Sequence, residues 1–191
     1  MTKVTKASLL WVDLEMTGLD PVKDQIIEVG VIATTWDFTE IARFESAVKV
    51  DDAFIAKRLT GDFWQKNSGS RDALLKQNSE ATKNAKQVED ELLKFLDKNF
   101  DLTQPIYLAG NSIHQDQKFI EREWPRLNAK LHYRQLDVSA WKIIFENRGV
   151  RFVKPEAHRA ISDIEGSMDE LKYYLKKVDF GKGKGKKSLS S

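Results

Sequence analysis

Two carboxylates interrupt an apolar stretch near the start of the chain. Asp13 and Glu15 lie two residues apart within the apolar run that begins at Leu9. Side chains two apart in a β-strand point to the same face of the sheet, so the two acids would lie side by side. Burying both is costly unless a cation neutralises them, and carboxylate oxygens suit magnesium or manganese. Alternatively, the strand end is exposed and the acids are solvated edge charges.

Two further acids and a histidine complete a possible catalytic set. Asp116 lies at the start of a predicted helix, where an aspartate usually serves only as a cap or as a partner of the helix dipole. Asp163 lies on the core-facing side of the last predicted helix, and His158 precedes it by five residues. Taken alone, His158 would usually be structural. Together, four carboxylates and one titratable base are what two-metal hydrolysis requires, because carboxylates hold the ions and a base takes a proton from water.

The elements that must position these residues follow an α/β pattern. Strands are expected over residues 8–15, 26–34 and 41–50, paired as an antiparallel meander, and short strands over 106–109 and 134–138. Helices are expected over residues 52–59 and 85–99, around 116–124 and 141–145, and at the end of the domain. In that last helix Ile161, Ile164, Met168, Leu171 and Leu175 recur at helical spacing, so one face packs on the sheet. The pattern predicts an α/β domain with a mixed central sheet flanked by helices.

Composition limits the classes of protein that the sequence can encode. The chain has 191 residues, of which 41% are hydrophobic and 31% charged, a balance typical of a single soluble domain. It has no cysteine, which excludes a disulfide scaffold, a thiolate zinc site and a cysteine nucleophile. A cytosolic location is the simplest expectation. The longest apolar run near the start is too short for a signal peptide or a membrane span, so no membrane partner is expected.

Charge is concentrated at the end of the chain. Residues 176–191 contain six lysines and one aspartate, whereas the rest of the chain has 25 basic and 28 acidic residues. A nearly neutral body is not typical of a protein that coats nucleic acid. Residues 179–191, rich in Gly, Lys and Ser, are expected to be disordered. Residues 1–178 are expected to form one domain.

Four segments of the sequence together resemble one known family. They read Asp-Leu-Glu-Met-Thr-Gly-Leu-Asp at residues 13–20, Gly-Asn-Ser-Ile-His-Gln-Asp at 110–116, Tyr-Arg-Gln-Leu-Asp-Val-Ser at 133–139 and His-Arg-Ala-Ile-Ser-Asp-Ile at 158–164. In order and spacing they closely resemble the oligoribonucleases. That family belongs to the DEDDh 3′–5′ exonucleases, which are named for three aspartates, a glutamate and a histidine. The resemblance extends from about residue 9 to residue 176.

The resemblance implies a fold, an activity and a set of catalytic residues. The implied fold is ribonuclease H-like and the implied assembly is a homodimer. The implied activity is release of mononucleotides from the 3′ end of very short single-stranded RNA, dinucleotides above all. By position, Asp13, Glu15, Asp116 and Asp163 would hold two divalent cations, Mg²⁺ or Mn²⁺. His158 would be the general base that activates the attacking water.

The resemblance also implies contacts to the two bases of a dinucleotide. Leu19 would wedge between the bases, and Trp64 would stack on one of them. A tryptophan is more often part of a core, but the polar residues around Trp64 favour a stacking role.

A cap over the 5′ phosphate of the dinucleotide is implied as well. Ser112, Arg134 and Ser139 would form it, because an arginine with two hydroxyls is a suitable phosphate clamp. Tyr133 would be supplied by the neighbouring subunit. The chain departs from the family at Gly69, where a histidine that contributes to the cap is expected. This departure predicts weaker discrimination between substrates by length.

Two other functions are compatible with part of the sequence. One is an exonuclease of the same superfamily that acts on single-stranded DNA, such as a proofreading module. The other is a non-catalytic nucleic-acid-binding domain that uses the lysine-rich tail. An intact set of acids argues against the second, because clustered negative charge repels a polyanion.

Overall fold

The computed structural model describes residues 5–153 and 159–178, except for the side chain of Phe63. Its strands are β1 (Leu9–Met16), β2 (Ile26–Thr34), β3 (Glu40–Ala47), β4 (Ile106–Gly110) and β5 (Leu131–Asp137). Its helices are α1 (Asp52–Arg58), α2 (Asp62–Lys66), α3 (Ser68–Glu80), α4 (Ala85–Asn99), α5 (His114–Glu123), α6 (Pro125–Asn128), α7 (Val138–Asn147) and α8 (Ala160–Leu175). The proposed base His158 and the tail 179–191 lie outside the described residues.

The five strands form one mixed sheet in the order β3-β2-β1-β4-β5. β1 pairs antiparallel with β2, and β2 pairs antiparallel with β3, so the expected meander is confirmed. β4 and β5 run parallel to β1 on its other side. The mixed sheet expected from the sequence is therefore confirmed, and β1 lies at its centre.

Helices cover both faces of the sheet, and β1 contributes side chains to each layer. On one face its even-numbered residues Leu10, Val12 and Leu14 pack in a core with α4 and α5. On the other face Leu9 and Trp11 pack in a core with α8. Because side chains alternate along a strand, the two acids that follow on odd positions of β1 continue the α8 face.

β3 is shorter than the sequence predicted, because the chain changes hydrogen-bond partners after Val48, whose N–H still donates to the Ile27 carbonyl of β2 at 2.9 Å. The Lys49 N–H donates to the carbonyl of Lys83 at 2.7 Å, and the Val50 N–H donates to Asn78 Oδ1 at 2.9 Å. Asn78 lies in α3, and Lys83 lies between α3 and α4, so neither partner is on β2. Lys49 and Val50 therefore belong to the chain that enters α1.

Three helices, α2, α3 and α6, and both ends of β5 differ from the expectation from the sequence. α2 and α3 occupy a region with no expected helix, because α3 buries only Leu74 and Asn78 and so has no periodic apolar face. β5 begins at Leu131, earlier than expected. The expected strand end at Val138 is wrong, because the Asp137 carboxylate accepts the Ser139 N–H and starts α7 there.

None of the helices within residues 5–153 and 159–178 combines the length and apolar content that crossing a membrane would need.

Candidate active site

Three of the predicted acids meet where β1 and α8 face each other. Asp13 and Glu15 lie on the α8 side of β1, and Asp163 lies in the first turn of α8. One carboxylate oxygen from each lies within 4.8 Å of the other two, and all three side chains are half-buried. We call these residues the acid triad. Three hard oxygen ligands at this spacing suit a divalent cation.

Glu15 does not behave as a solvated edge charge. Burial, followed by the negative charges of Glu28, Asp163 and Asp116, raises its pKa from 4.5 to about 7. The nearby guanidinium of Arg159 lowers the pKa and offsets only part of this effect. A carboxylate held among like charges is a typical metal ligand, since a cation would relieve the repulsion.

Asp116 lies beside the triad rather than within it. Its carboxylate is buried in the first turn of α5, and Oδ1 accepts the backbone N–H of Leu14 at 3.0 Å. That N–H is available because β4 pairs with β1 only as far as Trp11 and Ala109. Burial raises the pKa of Asp116 to about 7. The fourth predicted acid is thus attached to the same strand as Asp13 and Glu15, at the edge that β4 leaves open.

Glu28 is a buried carboxylate that the sequence analysis missed. It lies on β2 directly opposite Glu15, and its side chain is fully buried. Oε2 accepts from Gln77 Nε2 at 2.7 Å, and Oε1 accepts from Arg159 Nε and the Ala160 N–H, both at 3.3 Å. The signal in the sequence was a single acid inside the otherwise apolar strand β2.

A groove of about 1140 Å³ includes Glu15, one member of the triad, in its lining. The loop after β1 forms one wall, and the end of α1 with α2 forms the other. Leu19 projects from the first wall and is 75% exposed, while Trp64 lines the second wall. The structure therefore brings both predicted base-contacting residues to the groove that contains Glu15.

Trp64 both packs against a core and lines the groove. It lies in α2 and is half-buried, packed against a small core that contains Ile27, Ile55 and Leu59. The same side chain lines the groove. The same side chain therefore belongs both to this core and to the wall of the groove.

The loop that carries Leu19 is organised by Asp24, a second buried acid that the sequence analysis missed. The Asp24 carboxylate accepts from Thr17 Oγ1 and the Asp20 N–H, each at 3.0 Å, and from Arg58 Nε at 2.7 Å. A Cβ on Gly18 would lie 2.5 Å from the Asp24 carboxylate, so the loop needs glycine at that position. Because Arg58 ends α1, this ion pair ties the two walls of the groove together.

The predicted phosphate-cap residues form two separate groups. Ser112 has a φ of 49°, and its N–H donates to Asp137 Oδ1 at 3.0 Å and to Ser139 Oγ at 2.8 Å. The two serine hydroxyls lie 3.0 Å apart. Arg134 and Tyr133 lie exposed on β5, with the guanidinium 5.4 Å from the centre of the ring. Among the described residues that line the groove, none belongs to β5.

Gly69 is the second residue of α3, and it is exposed. A Cβ added there would meet no atom within 4 Å. The first atom of a larger side chain at this position would therefore fit without displacing its surroundings.

Comparison with known proteins identifies the family. A family model described as an exonuclease matches residues 10–171. The oligoribonuclease of Ruthia magnifica is 38% identical over 173 residues, covering 88% of this chain and 94% of that protein. The oligoribonuclease of Chromobacterium violaceum is 36% identical over 176 residues, covering 87% of this chain and 93% of that protein.

Solved structures of exonuclease I share the fold. The zinc-bound Escherichia coli ExoI–ssDNA complex matches with a TM-score of 0.63 at 13% identity, covering 91% of this chain and 41% of that one. Exonuclease I from Methylocaldum szegediense matches with a TM-score of 0.58 at 14% identity, covering 90% and 40%. The chain thus spans about two fifths of these proteins, and the expected ribonuclease H-like fold is confirmed. The chain belongs to the oligoribonuclease family and is a metal-dependent 3′–5′ exonuclease.

Proposed function

We propose that the protein removes nucleoside 5′-monophosphates from the 3′ end of very short single-stranded RNA, with dinucleotides as its preferred substrates. One observation carries this proposal: Glu15 belongs to the acid triad and also lines the groove that contains Leu19 and Trp64. A phosphodiester could therefore approach the acids while the flanking bases contact an apolar side chain and an indole ring. Membership of the oligoribonuclease family supports the same substrate class.

The acids fit the divalent cations that the activity needs. We assign two ions, Mg²⁺ or Mn²⁺, to Asp13, Glu15, Asp116 and Asp163. Support comes from the 4.8 Å limit on the triad oxygens and from the raised pKa of Glu15, which reflects burial first and then neighbouring negative charges that a cation would neutralise. When bound, such ions lower the pKa of water and stabilise negative charge on the phosphodiester oxygens.

The walls of the groove would orient the substrate. We assign Leu19 to the space between the two bases and Trp64 to stacking on one of them. Stacking on an aromatic side chain contributes about 1–3 kcal/mol per base and tolerates any base. The Asp24–Arg58 pair holds the Leu19 loop before the substrate arrives, which lowers the entropy cost of binding.

We propose His158 as the general base. It precedes Arg159, whose backbone N–H donates to Asp163 Oδ2 at 3.1 Å, so chain continuity supports a role beside the triad. A histidine suits proton transfer from water near neutral pH, because its ordinary pKa is about 6.5.

We also propose that the enzyme acts as a homodimer. Tyr133 is 76% exposed on the outer strand β5, and Ile143 and Ile144 of α7 are exposed as well. A second copy that covers this side would bury these side chains, and Tyr133 would then reach the neighbouring site. Ser112, Ser139 and Arg134 would cap the 5′ phosphate of the substrate.

Replacement of the family histidine by Gly69 leads to a prediction about substrate length. We expect the enzyme to hydrolyse 5′-phosphorylated two-mers and seven-mers with more similar efficiencies than a tightly capped site would allow. The substitution Gly69→His should increase the preference for two-mers, since the position has open space. Measuring kcat/KM for both lengths tests this, and a wild type restricted to dinucleotides would contradict it.

The proposed activity is tested with a 5′-labelled RNA dinucleotide in the presence of Mg²⁺, of Mn²⁺ and of chelator. We expect release of mononucleotide with metal only, and its loss in Asp13→Ala with binding of the dinucleotide retained. Absence of turnover by folded wild type with either ion would refute the proposal and favour a non-catalytic binding domain. Faster turnover of a matched DNA dinucleotide would favour a DNA exonuclease.

A cytosolic location remains a prediction from the absence of cysteine.

A further inference from the structure

The first turn of α8 rests on β2, at the strand positions that face the two β1 members of the acid triad. Gly30 of β2 is the cross-strand partner of Asp13, and Glu28 is the cross-strand partner of Glu15. Directly opposed residues of an antiparallel pair share a face of the sheet, so all four lie on the α8 side. The packing of α8 on β2 therefore brings Asp163 close to Asp13 and Glu15.

Gly30 permits a close approach of the α8 backbone. A Cβ at this position would lie 2.8 Å from the Ala160 Cβ and 2.9 Å from the Ala160 carbonyl carbon and the Ile161 nitrogen. Real Cβ atoms do not come this close to backbone atoms. The beginning of α8 is thus in direct contact with the sheet beside Asp13.

Glu28 holds the same turn by hydrogen bonds. Its Oε1 accepts the Ala160 N–H, which is one of the N–H groups that a helix leaves unpaired at its N-terminus. The same oxygen accepts from Arg159 Nε. A fully buried carboxylate is stable only with such partners, so the contacts keep Glu28 and the start of α8 together.

Arg159 connects this anchor to the acid triad. Its side chain bonds to Glu28, and its outer guanidinium nitrogen lies 3.4 Å from Glu45 of β3. Its backbone N–H donates to Asp163 Oδ2 at 3.1 Å. One residue therefore joins the buried carboxylate of β2 to the carboxylate that α8 contributes.

We propose that Glu28 and Arg159 are positioning residues that set Asp163 at the correct distance from Asp13 and Glu15 for cation binding. The inference rests on the proposed function, because it takes the acid triad as ligands of a divalent cation. Glu28 does not contact the metal in this proposal; it acts through α8.

The first test compares Mn²⁺ affinity in a variant that removes all of the Glu28 contacts and in a variant that removes only the Gln77 contact. Glu28→Ala should weaken Mn²⁺ binding by about 10- to 100-fold, the usual effect of losing a residue that orients a metal ligand. Gln77→Leu is the matched control, because it removes the 2.7 Å bond to Oε2 and leaves the α8 contacts in place. It should reduce stability to urea yet leave Mn²⁺ affinity within about twofold. An equal loss of affinity in both variants would overturn the proposal.

A second test distinguishes positioning of Asp163 from a direct electrostatic effect of the Glu28 and Arg159 charges on Mn²⁺ binding. Glu28→Gln removes a negative charge and should weaken Mn²⁺ binding under either explanation. Arg159→Met removes a positive charge, so a field effect alone would tighten Mn²⁺ binding, whereas loss of positioning weakens it. Glu45→Gln is the control, because that pair is half-exposed and should contribute little. Tighter binding by Arg159→Met would overturn the proposal.

A third measurement uses the metal-free protein and so does not depend on the proposed function. Glu28→Ala should speed hydrogen exchange at the Ala160 amide and in the first turn of α8 more than Gln77→Leu does. If wild type neither binds Mn²⁺ nor hydrolyses RNA, the proposed function fails while this result still reports on the anchor. Equal exchange in the two variants would show that Glu28 does not hold α8, and would overturn the proposal.

Discussion

Replacing Glu15 with glutamine should stabilise the metal-free protein at high pH, although it removes a proposed metal ligand. Burial is the main reason that the pKa of Glu15 rises from 4.5 to about 7, and the charges of Glu28, Asp163 and Asp116 add to it. The metal-free protein must therefore hold an unfavourable charge whenever Glu15 is ionised. A glutamine of similar shape has no charge to hold.

The sign and size of the effect follow from linkage between protonation and folding. Because the folded pKa exceeds the unfolded one, the folded state binds more protons between the two values, and stability falls as pH rises from about 4.5 to about 7. A carboxyl group whose pKa is raised by this amount lowers the free energy of unfolding by about 1 kcal/mol at about pH 5 and by about 3 kcal/mol at about pH 8. The free energy of unfolding of Glu15→Gln should therefore increase relative to that of wild type by about 2 kcal/mol between about pH 5 and about pH 8.

Urea unfolding in the presence of chelator at the two pH values measures this difference. The value near pH 5 serves as the reference, since it contains the effects of the substitution that do not depend on charge. Mn²⁺ at about 1,000 times its Kd should reverse the order at high pH, because it stabilises wild type by about 4.1 kcal/mol, which exceeds the cost of the Glu15 charge. A difference between variant and wild type that did not change with pH would refute the reasoning.

Three further substitutions test the architecture of the site. Gly30→Ala should destabilise the protein by about 1–3 kcal/mol in urea, because its Cβ would lie 2.8 Å from that of Ala160, and an unchanged stability would contradict the close contact. Arg58→Met should lower the free energy of unfolding by about 3 kcal/mol in the same assay, because it leaves the buried carboxylate of Asp24 without its cation. An unchanged free energy of unfolding would show that Thr17 and the loop amides are enough to stabilise that carboxylate. Trp64→Leu should raise KM for the dinucleotide about 5- to 150-fold with a smaller change in kcat, as expected from lost base stacking, and a change in kcat alone would exclude that role.

Features that depend on local pattern could be read from the sequence. The two-residue spacing of Asp13 and Glu15 places them on one face, and the structure has them on one face of β1. The apolar period of α8 places Ile164 and Met168 against the sheet, which the structure confirms. α3 was missed for the complementary reason, because a mostly exposed helix carries no apolar period.

Features that depend on contacts between residues far apart in the sequence could not be predicted from the sequence. Glu28 and Gln77 are 49 residues apart, and Asp24 and Arg58 are 34 apart, so no local pattern links them. An acid in an apolar strand signals that a partner exists, but it does not say which residue the partner is.

The sequence by itself determined which side chains could do the chemistry, because residue type and strand alternation are properties of the chain. It also determined the family, since four segments retain their order and spacing. Only the tertiary structure decided that Asp163 meets Asp13 and Glu15 while Asp116 attaches to the open edge of β1. The physical reason is that such distances are set by packing of elements far apart in sequence, above all by the contact of α8 with β2.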